Sequence, residues 1–409
     1  MRGAALFDPT AFVLYRTGLC ALQVASSTCI PLPGGIGSRW RARPLRPAKP
    51  SDLGGDHLAA HETSVTRGEP TGGRQRSLAS SSTSVALSFA PRLAVVLLLG
   101  FLSAGYVYLF ARANPDFVSD FDQVWAGAAA IWRGENPYTV VGPRGAFLWR
   151  WPLYYPMPAM ILAAPLGLLP VVAARMVFAG LSAALFSYAI SRDGFQRWPV
   201  FISLAFLVNV ELVQWSSLLA AAALIPGISW VAVAKPNLGV ALLAAAPRSR
   251  VVLTMVGGSA ILVAISFIVL PDWPGYWLAN VRSATHFKPA ILRPGGFLLA
   301  LAALRWRRPE ARLLLALACT PMTPTFYDPV LLFIIAQTTR EALTLSASTI
   351  ALYFVVAFVD PARTMEDWGA VVATASVFLL YLPCLVMVLR RKNVGELPTF
   401  SWRAERAPL

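Results

Sequence analysis

The sequence predicts an all-α, polytopic integral membrane protein, and three observations carry that prediction. Of 409 residues, 56% are hydrophobic and only 13% are charged, against roughly 25% charged in a soluble domain. Apolar runs of roughly 15–22 residues recur from Leu93 to Leu389, close to the length that crosses a bilayer as a helix. The runs are continuous rather than alternating, which excludes a transmembrane β-barrel.

Residues 1–85 differ from the rest. They are rich in Ser, Gly, Pro and Arg, with Arg39, Arg41, Arg43 and Arg46 close together. Asp8 interrupts the weak apolar start, so the stretch lacks the build of a signal peptide. It reads as a disordered tail or as an upstream extension of the reading frame, and His57 and His61 fall within it.

From residue 86 to 392 the chain reads as one transmembrane domain, followed by a cytoplasmic tail at 393–409. Spans are expected near 93–111, 157–170, 173–190, 198–211, 216–231, 234–247, 251–270, 294–305, 311–325, 328–339, 346–360 and 369–389. The region 198–247 can hold two spans or three, which gives ten to twelve transmembrane helices. The net charge of +15 is explained by arginines in the short connections, including Arg248, Arg250, Arg305, Arg307, Arg308, Arg340, Arg390 and Arg391. This is the positive-inside bias rather than a nucleic-acid footprint. Placing those loops in the cytoplasm puts both termini inside and puts 112–156, 271–293 and 361–368 outside. Arg192 and Arg197 disagree, since the same count places them outside. Cys319 and Cys384 fall in expected helices as small apolar residues, and no cysteine pair has metal-ligand spacing.

The polar island after the first span carries the most information. Asp116, Asp120 and Asp122 lie within seven residues, just past a membrane helix, where charge is costly and usually functional. Trp125, Ala126, Ala129, Ala130, Ile131 and Trp132 recur at helical spacing. They predict a short amphipathic helix at the membrane interface, ended by Gly134. Asp120-x-Asp122 permits three readings: two carboxylates on a divalent metal, one carboxylate as a general base in a partly desolvated site, or a cap on the following helix.

Other polar groups interrupt apolar stretches. Lys235-Pro236-Asn237 needs an anionic partner or an aqueous cavity, and a lipid phosphate fits; snorkelling is the structural alternative. Gln214 follows Glu211 at a helix start and suits a sugar hydroxyl or an interhelical hydrogen bond. His286, Lys288 and Arg293 follow Trp273, Tyr276 and Trp277, a basic and aromatic set suited to phosphate and sugar. Asp328 closes a run containing Pro321 and Pro324.

With these residues in view, Asp120-Phe121, Trp125, Gly134-Glu135-Asn136-Pro137-Tyr138 and Tyr155-Pro156 together resemble the first outer loop of glycosyltransferase family 87. These are GT-C-type membrane enzymes that include α-mannosyltransferases using polyprenyl-phosphate mannose. Gln214 and Lys235-Pro236 resemble two further elements of that family, although Val213 stands where the family has glycine. The resemblance spans about 90–390. It implies a polyprenyl-phosphate sugar donor, a glycolipid or glycan acceptor, inversion at the anomeric carbon and no metal or other cofactor. It also implies Asp120 as the base, with Tyr138 and Tyr155 of the first outer loop as substrate-binding residues, and no nucleic-acid partner. A transporter or flippase for a lipid or small solute, and an inactive relative, are the competing readings. The absence of a convincing internal repeat argues against the transporter.

Overall fold

The computed structural model describes residues 89–284, 287–322, 324–325, 327–358 and 365–395. The expected tail at 1–85, most of the tail at 393–409, His286 and the start of the expected outer segment 361–368 lie outside the described residues.

The fold is all-α. Helix α1 (Phe89–Ala113) leads into the polar island, which contains α2 (Asp122–Trp132). Gly134 takes φ +70 immediately after it, so the predicted glycine stop is present. A two-residue parallel pairing, Val141 with Phe147 and Gly142 with Leu148, is the single strand pair among the described residues. There follow α3 (Met157–Ala163), a 3₁₀ turn over Ala164–Leu168, α4 (Val171–Ser191), α5 (Leu204–Glu211) and α6 (Ser216–Leu224). Next come α7 (Pro236–Ala245), α8 (Ser249–Val269), α9 (Trp273–Arg282), α10 (Pro309–Cys319) and α11 (Thr339–Ala357). The described chain closes on α12 (Met365–Ser376), a π-helical turn over Val377–Tyr381 and α13 (Leu382–Leu389).

Five of these helices are long and apolar enough to cross a membrane: Ala90–Ala113, Val171–Ser191, Ser249–Val269, Thr339–Ala357 and Gly369–Leu389. A sixth arises if α5 and α6, bent by 115° at their junction, count as one broken span. The ten to twelve spans expected from composition are therefore not reached by full-length helices among the described residues. The reason lies in the prolines. Pro226, Pro236, Pro309 and Pro329 each stand in the first turn of a separate short helix, because a proline ring cannot accept a helix continuing through it. At 1.5 Å per residue α7 and α10 are about 15–17 Å long, half the hydrocarbon thickness.

Helices α1 and α4 pack antiparallel. A Cβ added to Gly100 would meet the Gly180 carbonyl oxygen at 3.0 Å, and one added to Gly180 would meet that of Gly100 at 3.0 Å. Small residues at a helix crossing allow this close approach. At the far end of the pair Arg175 of α4 reaches the Phe117 carbonyl, 2.9 Å away.

The expected span at 157–170 forms a short apolar helix rather than one long enough to cross. Met157–Leu168 is short, about 18 Å as a helix. It lies against α2, with the Trp125 indole donating to the Leu169 carbonyl at 3.0 Å and Trp132 to Ala164 at 2.6 Å. Removing one crossing reverses the side reached by 192–197 and resolves the arginine conflict. Arg197 donates to the Ala336 carbonyl at 2.8 Å. It lines a cavity of about 160 Å³ with Glu310, Gln337 and Pro247. Glu310 in turn pairs with Arg308 at 2.9 Å and Arg391 at 3.2 Å, and Arg391 also pairs with Glu341 at 2.8 Å. Arg192 and Arg197 thus belong to the same end of the bundle as the other basic loops. Cysteines placed at Arg192 and Arg307 are expected to react with a membrane-impermeant thiol reagent from one side of sealed vesicles, and a cysteine at Asp116 from the other. Labelling at Arg192 from the Asp116 side would restore the crossing at 157–170.

Candidate functional site

The half-length helices leave a cavity of about 1320 Å³ at the end of the bundle opposite the basic loops. Its walls come from the island after α1, the starts of α6 and α7, helix α9, and the ends of the short elements that stop at Thr320 and start at Asp328. Asp120, Gln214, Lys235 and Asp328 all line it, joined by Lys288, Arg293 and Tyr155.

Asp120 and Asp122 are separated by one residue in the chain and stand in different surroundings in the fold. Asp122 is 1% exposed and lies outside the cavity lining. Its oxygens accept from the Ser119 amide at 2.8 Å, the Ser119 hydroxyl at 2.7 Å and Arg175 Nε at 2.7 Å, with a further bond from Arg175 Nη2. The predicted catalytic role for Asp122 is not where this geometry places it: the carboxylate neutralises a buried arginine and has no lone pair left for a metal or a substrate proton. Asp120 is half-buried and faces the cavity. It accepts a hydrogen bond from Gln214 Nε2. Burial pushes its carboxyl up to about 6; nearby Lys235 acts in the opposite direction and Asp122 and Asp328 add to the rise.

Gln214 is placed by a sharp turn. Val213 takes φ +52 between α5 and α6 and is 1% exposed. A β-branched residue in the left-handed region is a genuine outlier, costing on the order of 1–2 kcal/mol. The Asn209 side chain bridges the break, donating to Ser217 Oγ at 2.8 Å and accepting from the Ser217 amide at 3.3 Å. Buried packing and these bonds hold the turn that a glycine would make without strain.

Lys235 precedes α7. Its ammonium lies 3.5 Å from Gln214 Oε1, 3.7 Å from Asp328 Oδ1 and 5.3 Å from the centre of the Tyr327 ring. Thr325 Oγ1 donates to Asp328 Oδ2 at 2.7 Å. The chain Asp120–Gln214–Lys235–Asp328 therefore joins four elements around one end of the cavity.

Tyr138 is placed otherwise than expected. It is absent from the lining, its hydroxyl donates to the Tyr155 carbonyl at 3.2 Å, and its ring stacks on Tyr276 with centroids 6.1 Å apart. It positions Tyr155, whose buried phenol is pushed well above its ordinary range and stays neutral. His286 lies outside the described residues. Sequence reasoning missed Arg150 and Gln123, which also line the cavity, and it named Trp277, which lines it too. Trp277 is fixed by its indole donating to the Tyr154 carbonyl at 2.9 Å. Arg150 stands between two tryptophans in the sequence, a cation and aromatic cluster that was available as a signal. Cys319, expected as a packed helix residue, is exposed at the end of α10 and faces the cavity, whereas Cys384 is buried as expected.

The two aspartates are expected to separate by stability. Asp122→Asn leaves Arg175 buried without its counter-charge and should cost about 3–5 kcal/mol, read as a lower melting temperature in detergent. Asp120 binds its proton more tightly when folded than unfolded, so its stabilising contribution is present below about pH 4 and lost as pH rises through about 6. Asp120→Asn should therefore melt at or above the wild-type temperature at pH 7. Equal losses for both variants would contradict the assignment. Comparison of the chain with known protein families, with curated proteins and with solved structures gives no match.

Proposed function

We propose that this protein is a membrane glycosyltransferase of the GT-C kind, transferring a hexose, mannose in the first instance, from a polyprenyl-phosphate donor to a glycolipid or glycan acceptor. The observation that supports this most is Asp120. It is a carboxylate with its proton affinity raised to about 6 by burial, open to a large cavity that also presents Arg150, Lys288 and Arg293. A base for a hydroxyl and cations for a phosphate in one cavity suit transfer between a lipid phosphate and an alcohol.

In this reading Asp120 accepts the proton of the acceptor hydroxyl as that oxygen attacks the anomeric carbon. The bond from the anomeric carbon to the donor phosphate oxygen breaks, its electrons leave with the phosphate, and the configuration inverts. Gln214 holds the Asp120 carboxylate by its amide N–H, and Lys235 holds Gln214 by its carbonyl oxygen. Arg150, Lys288 and Arg293 meet the negative charge on the leaving phosphate. The basic end of the bundle then faces the cytoplasm and the cavity the outer side of the plasma membrane.

The test is transfer from radiolabelled polyprenyl-phosphate mannose in membranes. Asp120→Asn should lower transfer by about 10²–10⁴-fold. Asp122→Asn, assayed below its melting temperature, should keep the reaction. A base works only when ionised, so below about pH 6 the rate should fall about tenfold per pH unit and above it should level off. Addition of a chelator should leave the rate unchanged. Wild-type transfer by Asp120→Asn, or a rate that rises as pH falls, would remove Asp120 as the base.

A further inference from the structure

Three buried polar atoms on residues that line the large cavity lack a hydrogen-bond partner. Two of them are acceptor oxygens at the Asp120–Asp328 end, Gln123 Oε1 and Asp328 Oδ1, on residues 6% and 5% exposed. The amide of Gln123 is oriented by its other end, Nε2 donating to the Asp120 carbonyl at 3.1 Å, which leaves Oε1 over. Asp328 Oδ1 has Lys235 Nζ at 3.7 Å, an ion pair too long for a hydrogen bond. The lining also carries cations: Arg150 and Lys288 are exposed, and the third unpartnered atom is the buried Arg293 Nε, a donor without an acceptor. Buried acceptors are normally satisfied. Only a donor can complete these two, and two neighbouring carboxylates exclude an anion from that end.

We infer that Gln123 is a specificity-determining residue, its Oε1 accepting a hydrogen bond from one hydroxyl of the transferred sugar beside Asp120. The sugar enters hydroxyls first and its phosphate stays among the cations. This rests on the transferase reading and adds to it a residue and a direction. Gln123 is the second residue of α2, a helix fixed to α4 by the Asp122–Arg175 pair. A site that hydrogen-bonds a hydroxyl rejects the analogue lacking it, because its own polar group is then left bare.

The experiment compares kcat/KM for polyprenyl-phosphate mannose and its 2-, 3-, 4- and 6-deoxy analogues in the full-length protein. Wild type should use one analogue roughly 10–100-fold less well than the parent donor. Gln123→Met, close in length but without the acceptor, should lose that factor with the parent donor and use the same analogue at the wild-type rate for it, so that discrimination collapses. Gln123→Asn, which withdraws the oxygen by one methylene, carries the same expectation if the first variant does not fold. Discrimination kept by the folded variants, or equal use of all four analogues by wild type, overturns the role of Gln123 and leaves the transferase standing. Absence of transfer by wild type with the parent donor overturns the transferase reading and this inference with it.

Discussion

Two charges are removed from water where Arg175 meets Asp122, and the position of the whole polar island follows from the need to keep them together. An arginine one turn into a membrane helix requires a counter-ion close by. Asp122 supplies it, the Phe117 carbonyl takes the remaining Nη2 contact, and Ser119 fills the other Asp122 lone pairs. The turn from Phe117 to Asp122 is thereby pinned to α4, and Asp120, two residues before the pin, is left facing the cavity. The Asp122 carboxylate is saturated by its four hydrogen bonds. The other, with Gln214 as its hydrogen-bond donor, keeps the freedom to gain and lose a proton that base chemistry needs.

A second constraint places the groups opposite. Pro236 begins α7 and Pro309 begins α10, each helix runs about half the membrane thickness, and the cavity borders the start of α7 and the end of α10. The same breaks put Lys235 at the head of α7 and Asp328 at the head of the next short turn, so these two charged groups stand where a helix begins. Val213 does this in another way. Its left-handed turn bends α5 against α6 and delivers Gln214 to Asp120. Non-helical backbone at such depth is tolerated when it is buried in protein or lines a cavity, and here it does both.

The fold class was legible in composition and run length, because burial in lipid leaves an unmistakable excess of apolar residues. The crossing count was not, since a run of apolar residues records hydrophobicity and not length as a helix; 157–170 reads like a span and lies flat against α2. Arg192 and Arg197, which the expected count set apart from the other basic loops, pointed to the miscounted segment: Arg197 shares a cavity with Glu310, and Arg192 donates to the Leu224 carbonyl beside it. At the site, Asp120, Gln214, Lys235 and Asp328 stood out as polar groups in apolar surroundings, and they do meet. Asp122 could not be told from Asp120 by spacing, because its partner lies 53 residues away in sequence. Tyr138 was drawn in by its motif, yet its hydroxyl is spent on the Tyr155 carbonyl. Gln123 gave no signal, since an amide in a helix is unremarkable until its unpaired oxygen is seen.

The distribution of charge around the cavity also restricts where a reaction can build up charge. The buried end holds Asp120 and Asp328 against Lys235 alone, whereas Arg150, Lys288 and Arg293 lie elsewhere on the lining. In apolar surroundings such an asymmetry acts over longer distances than it would in water. Negative charge arriving on a leaving group is favoured toward the three cations and opposed near the aspartates; positive charge developing at carbon is favoured toward the aspartates. A displacement in which an anion departs toward the cations while a carboxylate takes a proton at the buried end moves both charges downhill. The reverse orientation would bring an anion against two carboxylates. For the proposed transfer this charge distribution would set a direction, and the Asp122–Arg175 pair, by turning Asp120 inward, would set its starting point.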